Sequence, residues 1–517
     1  MKTILSASLK SLLSLSLFLI LYTDDASAQE PKIRTTAHIK PEQALGKKRN
    51  STNYLEGNKD EVLVSDRTKR GLIITSYSKE GLTVINRFLA DDPKVGNKDP
   101  DWLRRVFKGD NVVNLYAYYD KKTDQNTVYG KITDRDNNEV KEPIILMQTE
   151  SRKKKFIGGF STRISKDQSK VLIFHQPNSS DPETRTVHIA LYDFNLKKIS
   201  DKEYTFPTEK SKVSIYDVFL TDDGDVMVVG KFTPTKEEVK ANPDLKGKTA
   251  YKVFCVTDGE MLDEIKIDSE DHTFSSCYVN MLPDSVNSIL LTGMYWEKGK
   301  KGGRGIYYIK INPSTWELEV MKFNKFEKKA IEPDYSYDFT ELFCFKDGSV
   351  SVVLEESYVT IQCSQNRNGG TTCHDIYHSN GIYQYDMDKE GNLTNSFVVP
   401  KMQKMTDIAM YNGHIALVGK TKKIHYIYND NGKNYIPKKI QKHGEFGYTF
   451  GRSRKTRLCC ATQGKKDKAS KKPMTESWKK DIIITPTFVL NDGTERAYTW
   501  GRTRKKKALF MVEVYLD

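Results

Sequence analysis

Past residue 28 the chain has no apolar run approaching the roughly 18 residues that a helix needs to cross a bilayer, so no helical span is expected in the mature protein. Long stretches of 3.6-residue apolar periodicity are missing too, which argues against a helical bundle or an α/β fold. Catalytic signatures are equally scarce. There is no Gly-x-Ser-x-Gly elbow, no phosphate-binding glycine loop between a strand and a helix, and no dinucleotide fingerprint. The run Gly302-Gly303-Arg304-Gly305 reads as a hairpin tip. No Cys-x-x-Cys or His-Glu-x-x-His pair offers a metal site, and neither a metal nor a cofactor is expected. One class stays open: the carboxylate pairs of glycoside chemistry are recognised by separation in space and leave no linear signature.

What is present begins with an export signal. Lys2 and Lys10 form a basic region, residues 12–21 a short apolar core, and Ala26-Ser27-Ala28 a small-residue cleavage site. Residues 1–28 therefore read as a secretory signal peptide, and residues 29–517 as one mature domain. No cysteine follows the apolar core, which argues against a lipid anchor. The expected location is the periplasm, the cell exterior, or the periphery of an outer membrane.

The mature chain is organised around residues 217–262, DVFLTDDGDVMVVGKF followed by a polar excursion and YKVFCVTDGEML. This is a strand, a tight Asp-Gly turn, a second strand, a loop, a third strand and another Asp-Gly turn. The pattern is that of one β-propeller blade, and loose copies of it fill the chain. Candidate turns at Gly57-Asn58, Gly109-Asp110, Lys166-Asp167, Asp223-Gly224, Asp284-Ser285, Asp347-Gly348, Lys422 and Asp492-Gly493 recur at spacings of roughly 50 to 75 residues. Asp-Gly and Asn-Gly pairs suit hairpins whose two central residues both need positive φ.

The expected fold is all-β, a propeller of seven or eight four-stranded blades. Seven blades follow in sequence over 51–90, 101–150, 156–206, 212–267, 273–323, 335–401 and 413–480. The eighth takes three strands from 482–515 and its fourth from Ile33 to Ile39, so that N-terminal strand pairing with the C-terminal blade closes the ring. The stretch 401–480 is the least regular, and seven blades is the alternative.

The blade at 217–262, the segment IHYIYNDNGKN at 424–434 and turns of the KINPSTWELE type at 310–319 resemble a family of large secreted propeller-like proteins of bacteroidetes-type bacteria. The resemblance implies the fold and a bacterial envelope setting, and brings no activity. The C-terminal strands depart from it by being unusually basic.

Long connections at 176–185, 233–248, 297–304, 360–379 and 431–454 all join second to third strands, so they fall on one face. Loops on a rigid scaffold are where binding resides. Charge points to the end of the chain. Residues 401–517 hold 26 basic and 10 acidic residues, a net of +16, whereas the 400 residues before them hold 56 and 58, a net of −2. The excess clusters at 452–457, 465–472 and 502–507, the second of which also reads as a disordered loop. A sharp repeat, YTFGRSRK at 448–455 and YTWGRTRK at 498–505, carries part of it. Arg452, Arg454, Lys455, Trp500, Arg502, Arg504 and Lys505 are accordingly the candidate binding residues, for an envelope protein or an anionic glycan or lipid surface. The competing reading is solvated hairpin tips. Nucleic acid fits by charge but conflicts with export.

Seven cysteines complete the inventory. Cys363 and Cys373 flank a Gly-Gly loop and are expected to form a disulfide in an oxidising compartment. Cys255, Cys277 and Cys344 lie in apolar strand patterns as buried small hydrophobes. Cys459 and Cys460 are adjacent, where a mutual bond is strained, so free thiols are expected. Cys373, His374, Asp375 and His378 could be read as metal ligands, and Asp222, Asp223 and Asp225 as part of a calcium loop. The turn reading is stronger for the second group, because its glycine comes too early and no closing glutamate follows. Trp296, Trp500 and the tyrosines could stack on sugars, although Trp at strand ends commonly serves packing. The resulting expectation is an exported, monomeric, non-enzymatic binding propeller. The alternative is a propeller enzyme acting on polysaccharide.

Overall fold

A computed structural model describes residues 29–35, 54–57, 60–68, 71–90, 100–108, 111–134, 138–150, 159–176, 186–205, 212–245, 250–257, 260–267, 272–297, 304–326, 336–365, 369–406, 409–432, 456–464, 469–475, 482–503 and 509–516. These residues form eight antiparallel sheets. The first contains Tyr54–Gly57, Glu61–Thr68, Gly71–Ser78 and Val84–Ala90, and the second Asp101–Lys108, Asn111–Asp120, Gln125–Asp134 and Glu139–Glu150. The third contains Gly159–Ile164, Lys170–Gln176, Thr186–Asp193 and Lys198–Thr205, and the fourth Lys212–Leu220, Val226–Thr233, Ala250–Thr257 and Glu260–Ile267. In the fifth, His272–Phe274 and Tyr278–Met281 both pair with Ile289–Glu297, followed by Arg304–Ile311 and Leu318–Lys325. The sixth contains Ser336–Cys344, Val350–Gln365, Thr371–Met387 and Leu393–Val399, with Gln403–Thr406 also on its third strand. The seventh contains Ile415–Val418, Ile424–Asn431, Thr456–Gln463 and Ala469–Pro473. The eighth contains Ile482–Asp492, Arg496–Thr503 and Leu509–Leu516, with Pro31–Thr35 as its fourth strand. That N-terminal strand begins earlier than the expected 33–39, and residues 36–39 lie outside the described ones.

The chain divides into two compact units. One comprises residues 45–356 and 383–396. Its sheets are joined face to face by the near-continuous apolar runs of their middle strands. In the third sheet, Val171 and Ile173 pack with Val113, Leu115 and Val128 of the second. The alternate residues Leu172 and Phe174 pack with Val218, Val226 and Val228 of the fourth. The fourth sheet repeats this, because Met227 and Val229 meet Leu291 and Ile309 of the fifth. Leu290 and Ile306 of the fifth then meet Val350, Val352 and Leu354 of the sixth. A strand covered on both faces buries every side chain, each large aliphatic contributing about 1.5–3 kcal/mol.

The turns between first and second strands repeat one geometry. Gln168, Gly224, Asn287, Gly348 and Lys422 each donate a backbone N–H to the carbonyl three residues earlier, and each has positive φ. In Asp223-Gly224 and Asp347-Gly348 the glycine alone has positive φ, at 107° and 80°. The expected two-residue hairpin, with both central residues left-handed, is therefore replaced by a β-turn ending in one left-handed residue, which places the burden on a single position.

The other unit comprises residues 1–44, 357–382 and 397–517. Ile415, Leu417, Ile427 and Leu458 of the seventh sheet pack with Ile484, Phe510, Val512 and Val514 of the eighth. The connection expected as a loop at 360–379 is instead largely an arm of strand, since Val350–Gln365 and Thr371–Met387 are neighbouring strands of one sheet that extend into it from either side. The β-branched residues of SYVTIQCSQ and TTCHDIYHS, among them Val359, Thr360, Ile361, Thr371, Thr372 and Ile376, favour strand. The expected disulfide joins Cys363 to Cys373 near the arm's tip, with S–S 2.08 Å. Lower on the arm, buried Lys401 donates to Ser379 Oγ at 2.6 Å and to Gln403 Oε1 at 2.9 Å.

Two expected outcomes test this unit. Glu513, 1 % exposed, accepts from Arg34 Nε at 2.5 Å and from Tyr498 Oη at 3.2 Å, and lies 3.1 Å from Arg496 Nη1. Glu513→Ala leaves two arginines without their shared acceptor and should cost about 3 kcal/mol in denaturant unfolding, whereas Arg34→Ala, at a half-exposed site, should cost about 1 kcal/mol. The second outcome concerns His425, which is buried beside Cys460, with Nδ1 3.9 Å from Sγ. Burial pushes its pKa down to about 4, with Lys423 and Lys472 adding to the effect. The unfolded chain takes up this proton near pH 6.5 and the folded chain does not, so the stabilisation is complete above about pH 6.5 and is lost at about 1.4 kcal/mol per unit as pH falls towards 4. Unfolding titrations between neutral and mildly acidic pH should show that slope, and His425→Gln should flatten it.

Candidate functional site

A cleft of about 610 Å³ opens where the fifth sheet's second strand ends and its third begins, beside the start of the sixth sheet's first strand. This is the end of the sheets that carries the long second-to-third connections. Five aromatic residues line it: Tyr278, Tyr295, Trp296, Tyr337 and Phe339. Ser275, Ser276, Arg304 and Asp338 supply polar groups. The volume and this mixture of rings with a few polar groups are typical of small-molecule sites.

A break in the fifth sheet's first strand builds the cleft. Phe274 pairs with Tyr295 and Tyr278 with Thr292, so three residues, 275–277, oppose two, 293–294. The resulting bulge is fully bonded. Ser275 N and Oγ both donate to Met294 O, at 2.9 and 3.1 Å, and Met294 N donates to Ser276 Oγ at 3.0 Å. Tyr307 Oη donates to Ser276 O at 2.8 Å. The bulge closes so tightly on Gly293 that a Cβ there would stand 2.2 Å from Ser276 O. Gly305 has a matching role, because the Tyr295 ring lies where its Cβ would be, at 2.5 Å. A bulge inserted in this way re-aims side chains at the end of a strand, here the two serines and Tyr295.

Among the described lining residues, one cation, Arg304, stands with one anion, Asp338. Arg304 and Trp296 are paired neighbours, and the guanidinium carbon lies 3.7 Å from the ring centroid. Trp296 remains 37 % exposed. Asp338 is exposed. Tyr278 and Phe339 stack at 3.9 Å. Burial raises the Tyr295 phenol to about 12, with the nearby Glu297 charge adding to it. Glu297 is itself paired with Lys325 at 2.8 Å. Burial likewise raises Tyr278, with Asp338 contributing, and Tyr337, with Tyr383 contributing. All three phenols therefore stay protonated and can both donate and accept hydrogen bonds at ordinary pH.

Of the candidate binding residues read from the basic C-terminal repeat, Arg452, Arg454, Lys455, Arg504 and Lys505 lie outside the described residues. Trp500 is 5 % exposed, a packing residue of the eighth sheet. Arg502 is half-buried, its guanidinium 4.7 Å from the Tyr411 ring centroid. The basic stretch 465–472, read as a disordered loop, is strand in its second half. Ala469–Pro473 pairs with Thr456–Gln463, and Lys472 makes an ion pair with Glu30. Cys373 is consumed by the disulfide, and the His378 ring stacks on Tyr358 at 4.3 Å while Nε2 lies 3.0 Å from Thr360 Oγ1. Among the described residues, no three His, Cys, Asp or Glu side chains are grouped as a metal ion would require. Cys255, Cys277, Cys344, Cys459 and Cys460 form no disulfide. Burial raises Cys277 and Cys460 to about 12, which keeps them protonated and unreactive.

Trp296 was legible as a possible stacking residue, the tyrosines only as a class, and Ser275, Ser276, Arg304, Asp338 and Phe339 were not. The available signal was an isolated glycine inside an apolar strand, Gly293 in ILLTGMYW, facing a Ser-Ser pair in HTFSSCYVN.

No family model matches this chain, and no curated protein matches it. Solved structures similar to it include the β-propeller domain of the Trilobed protease from Pyrococcus furiosus, at 12 % identity and TM-score 0.36, covering 82 % of this chain and 97 % of that one. A protein of unknown function from Bacteroides caccae is similar at 11 % identity and TM-score 0.27, covering 66 % and 94 %. An acylaminoacyl peptidase from Pyrococcus horikoshii is similar at 10 % identity and TM-score 0.30, covering 73 % and 57 %. All three TM-scores lie below 0.5, so the reading of the fold rests on the sheets themselves.

Gly293→Ala should destabilise the protein by about 3 kcal/mol, because the methyl group must displace backbone at Ser276. The same variant should change near-ultraviolet circular dichroism from the cleft's tyrosines. A variant with native stability would mean that the bulge yields without cost.

Proposed function

We propose that this chain is an exported, non-enzymatic β-propeller that binds a component of the bacterial envelope in the cleft of its fifth and sixth sheets. The reading takes each of the eight sheets as one blade, with the N-terminal strand Pro31–Thr35 as the clasp of the last blade. Export is supported by the signal peptide at 1–28, and the envelope setting by the resemblance to secreted bacteroidetes-type proteins. The protein acts as a monomer.

The observation that carries the binding reading is the bonded bulge at Ser275 and Ser276, which requires Gly293 and forms an aromatic cleft at the loop-bearing end of the sheets. An enzymatic reading on polysaccharide is weaker. Hydrolysis of a glycosidic bond in most enzymes uses two carboxylates, and Asp338 is the one carboxylate among the described residues that line the cleft. A second binding reading places an anionic partner on the basic C-terminal segment. It is favoured by the +16 net charge of residues 401–517.

Tagged mature protein, residues 29–517, incubated with native envelope fractions at low and high salt distinguishes the two. Loss of the captured component with Trp296→Ala at either salt supports the cleft. Loss with salt, and in a variant neutralised at Arg452, Arg454, Arg502 and Arg504, supports the basic segment. Capture that ignores all of these changes overturns both.

A further inference from the structure

We propose that the cleft of the fifth and sixth sheets recognises an uncharged sugar unit of a glycan, seated on its aromatic wall with Arg304 and Asp338 reaching the hydroxyls. The inference rests on the binding role proposed for this cleft and names the ligand that fills it.

Charge decides against the other ligand classes. An aromatic wall of this kind could form a cage for a quaternary ammonium group. Here the Trp296 ring already carries a cation, the Arg304 guanidinium at 3.7 Å, whose charge would repel a second one. An anionic ligand gains from Arg304 but meets Asp338 in the same cleft, and the charge of Glu297 is felt at Tyr295. Among the described lining residues, one cation and one anion leave the wall close to neutral, which complements a neutral ligand.

Hydrogen-bonding capacity narrows the choice further. Guanidinium offers only donors and an ionised carboxylate only acceptors, while protonated phenols and the Ser276 hydroxyl offer both, and Ser275, whose proton goes to Met294 O, keeps acceptor capacity. A surface that presents all three kinds within one cleft matches neighbouring hydroxyls, each of which donates and accepts. The apolar C–H face of a sugar ring lies well on an aromatic ring, and Trp296 is exposed enough to take part. Rigidity adds to the fit. Ser275 and Ser276 are fixed by their bonds to Met294, and Tyr295 is held over Gly305, so the wall is formed before a ligand arrives.

The test measures binding of the mature protein to soluble neutral polysaccharides (dextran, laminarin, mannan and xylan) and to the uronate polymers alginate and polygalacturonate, by affinity electrophoresis and calorimetry. Trp296→Ala, Arg304→Gln and Asp338→Asn run beside it, with thermal unfolding as the check on fold. At least one neutral polymer should bind. Trp296→Ala should weaken it by about tenfold or more, and Asp338→Asn by about fivefold, from the loss of ring contact and of a charged acceptor. Uronate polymers should bind more weakly to the native protein and gain in Asp338→Asn. Binding of uronates alone, or neutral binding that all three folded variants retain, overturns the proposal. So does the absence of any glycan binding. If no polymer binds while Trp296→Ala still loses the captured envelope component, or if that component is a peptide, the cleft keeps its binding role and only the sugar assignment falls. If the envelope component is also indifferent to Trp296, both fall together.

Discussion

A middle strand that is apolar on both sides cannot be satisfied by its own sheet, and this demand organises the molecule. Val171 and Ile173 belong to one interface while Leu172 and Phe174 belong to the next. The same division recurs at Met227 and Val229 against Val226 and Val228. The third, fourth and fifth sheets are thus spacers between two hydrophobic layers, and removing one would expose two. Stability of this kind is shared among neighbours, which leaves the polar ends of the sheets free to vary in sequence without loss of core.

The cleft uses that freedom. Its walls are ends of strands whose other ends are locked in the layers below. Gly293 lies one position beyond Thr292, which is buried and donates to Tyr307 O at 2.7 Å. Tyr307 in turn holds Ser276 O. The serines at the cleft are therefore connected to the core through two hydrogen bonds and one glycine. Such a site is stiff without being deeply buried.

Much of the fold was legible in the chain because its signals are local. Turn residues and β-branched runs place the eight sheets within a few residues of the segments expected as blades. The failures have physical causes. Asp-Gly suggested a two-residue turn, but the backbone bonds close one residue later, and the same geometry accepts Gln168 or Lys422 where no glycine marks it. The connection at 360–379 looked like a loop because it is polar; its exposed part, 359–365 with 371–375, is paired strand without a regular apolar alternation, and the apolar signal is confined to Ile376, which is buried. The cleft was the least legible element. Arg304, Asp338 and the bulge serines come from separate strands, and only the pairing register unites them. Of that set, sequence alone suggested Trp296, and it suggested Trp500 equally, which the eighth sheet buries.

The fourth strand of the eighth sheet comes from the opposite end of the chain. Arg34 and Glu513 are separated by 479 residues, yet they share a hydrogen bond inside one sheet. Strands of the other sheets find their partners within a few dozen residues and can pair as soon as they are made. Pro31–Thr35 emerges first and must wait until the last strand exists. Closing so long a loop costs entropy that only the completed partner surface can offset. The eighth sheet is consequently a checkpoint for length. A chain truncated before Leu509–Leu516 has seven sheets to form but nowhere to secure its beginning, so an incomplete product is left with a loose N-terminal strand.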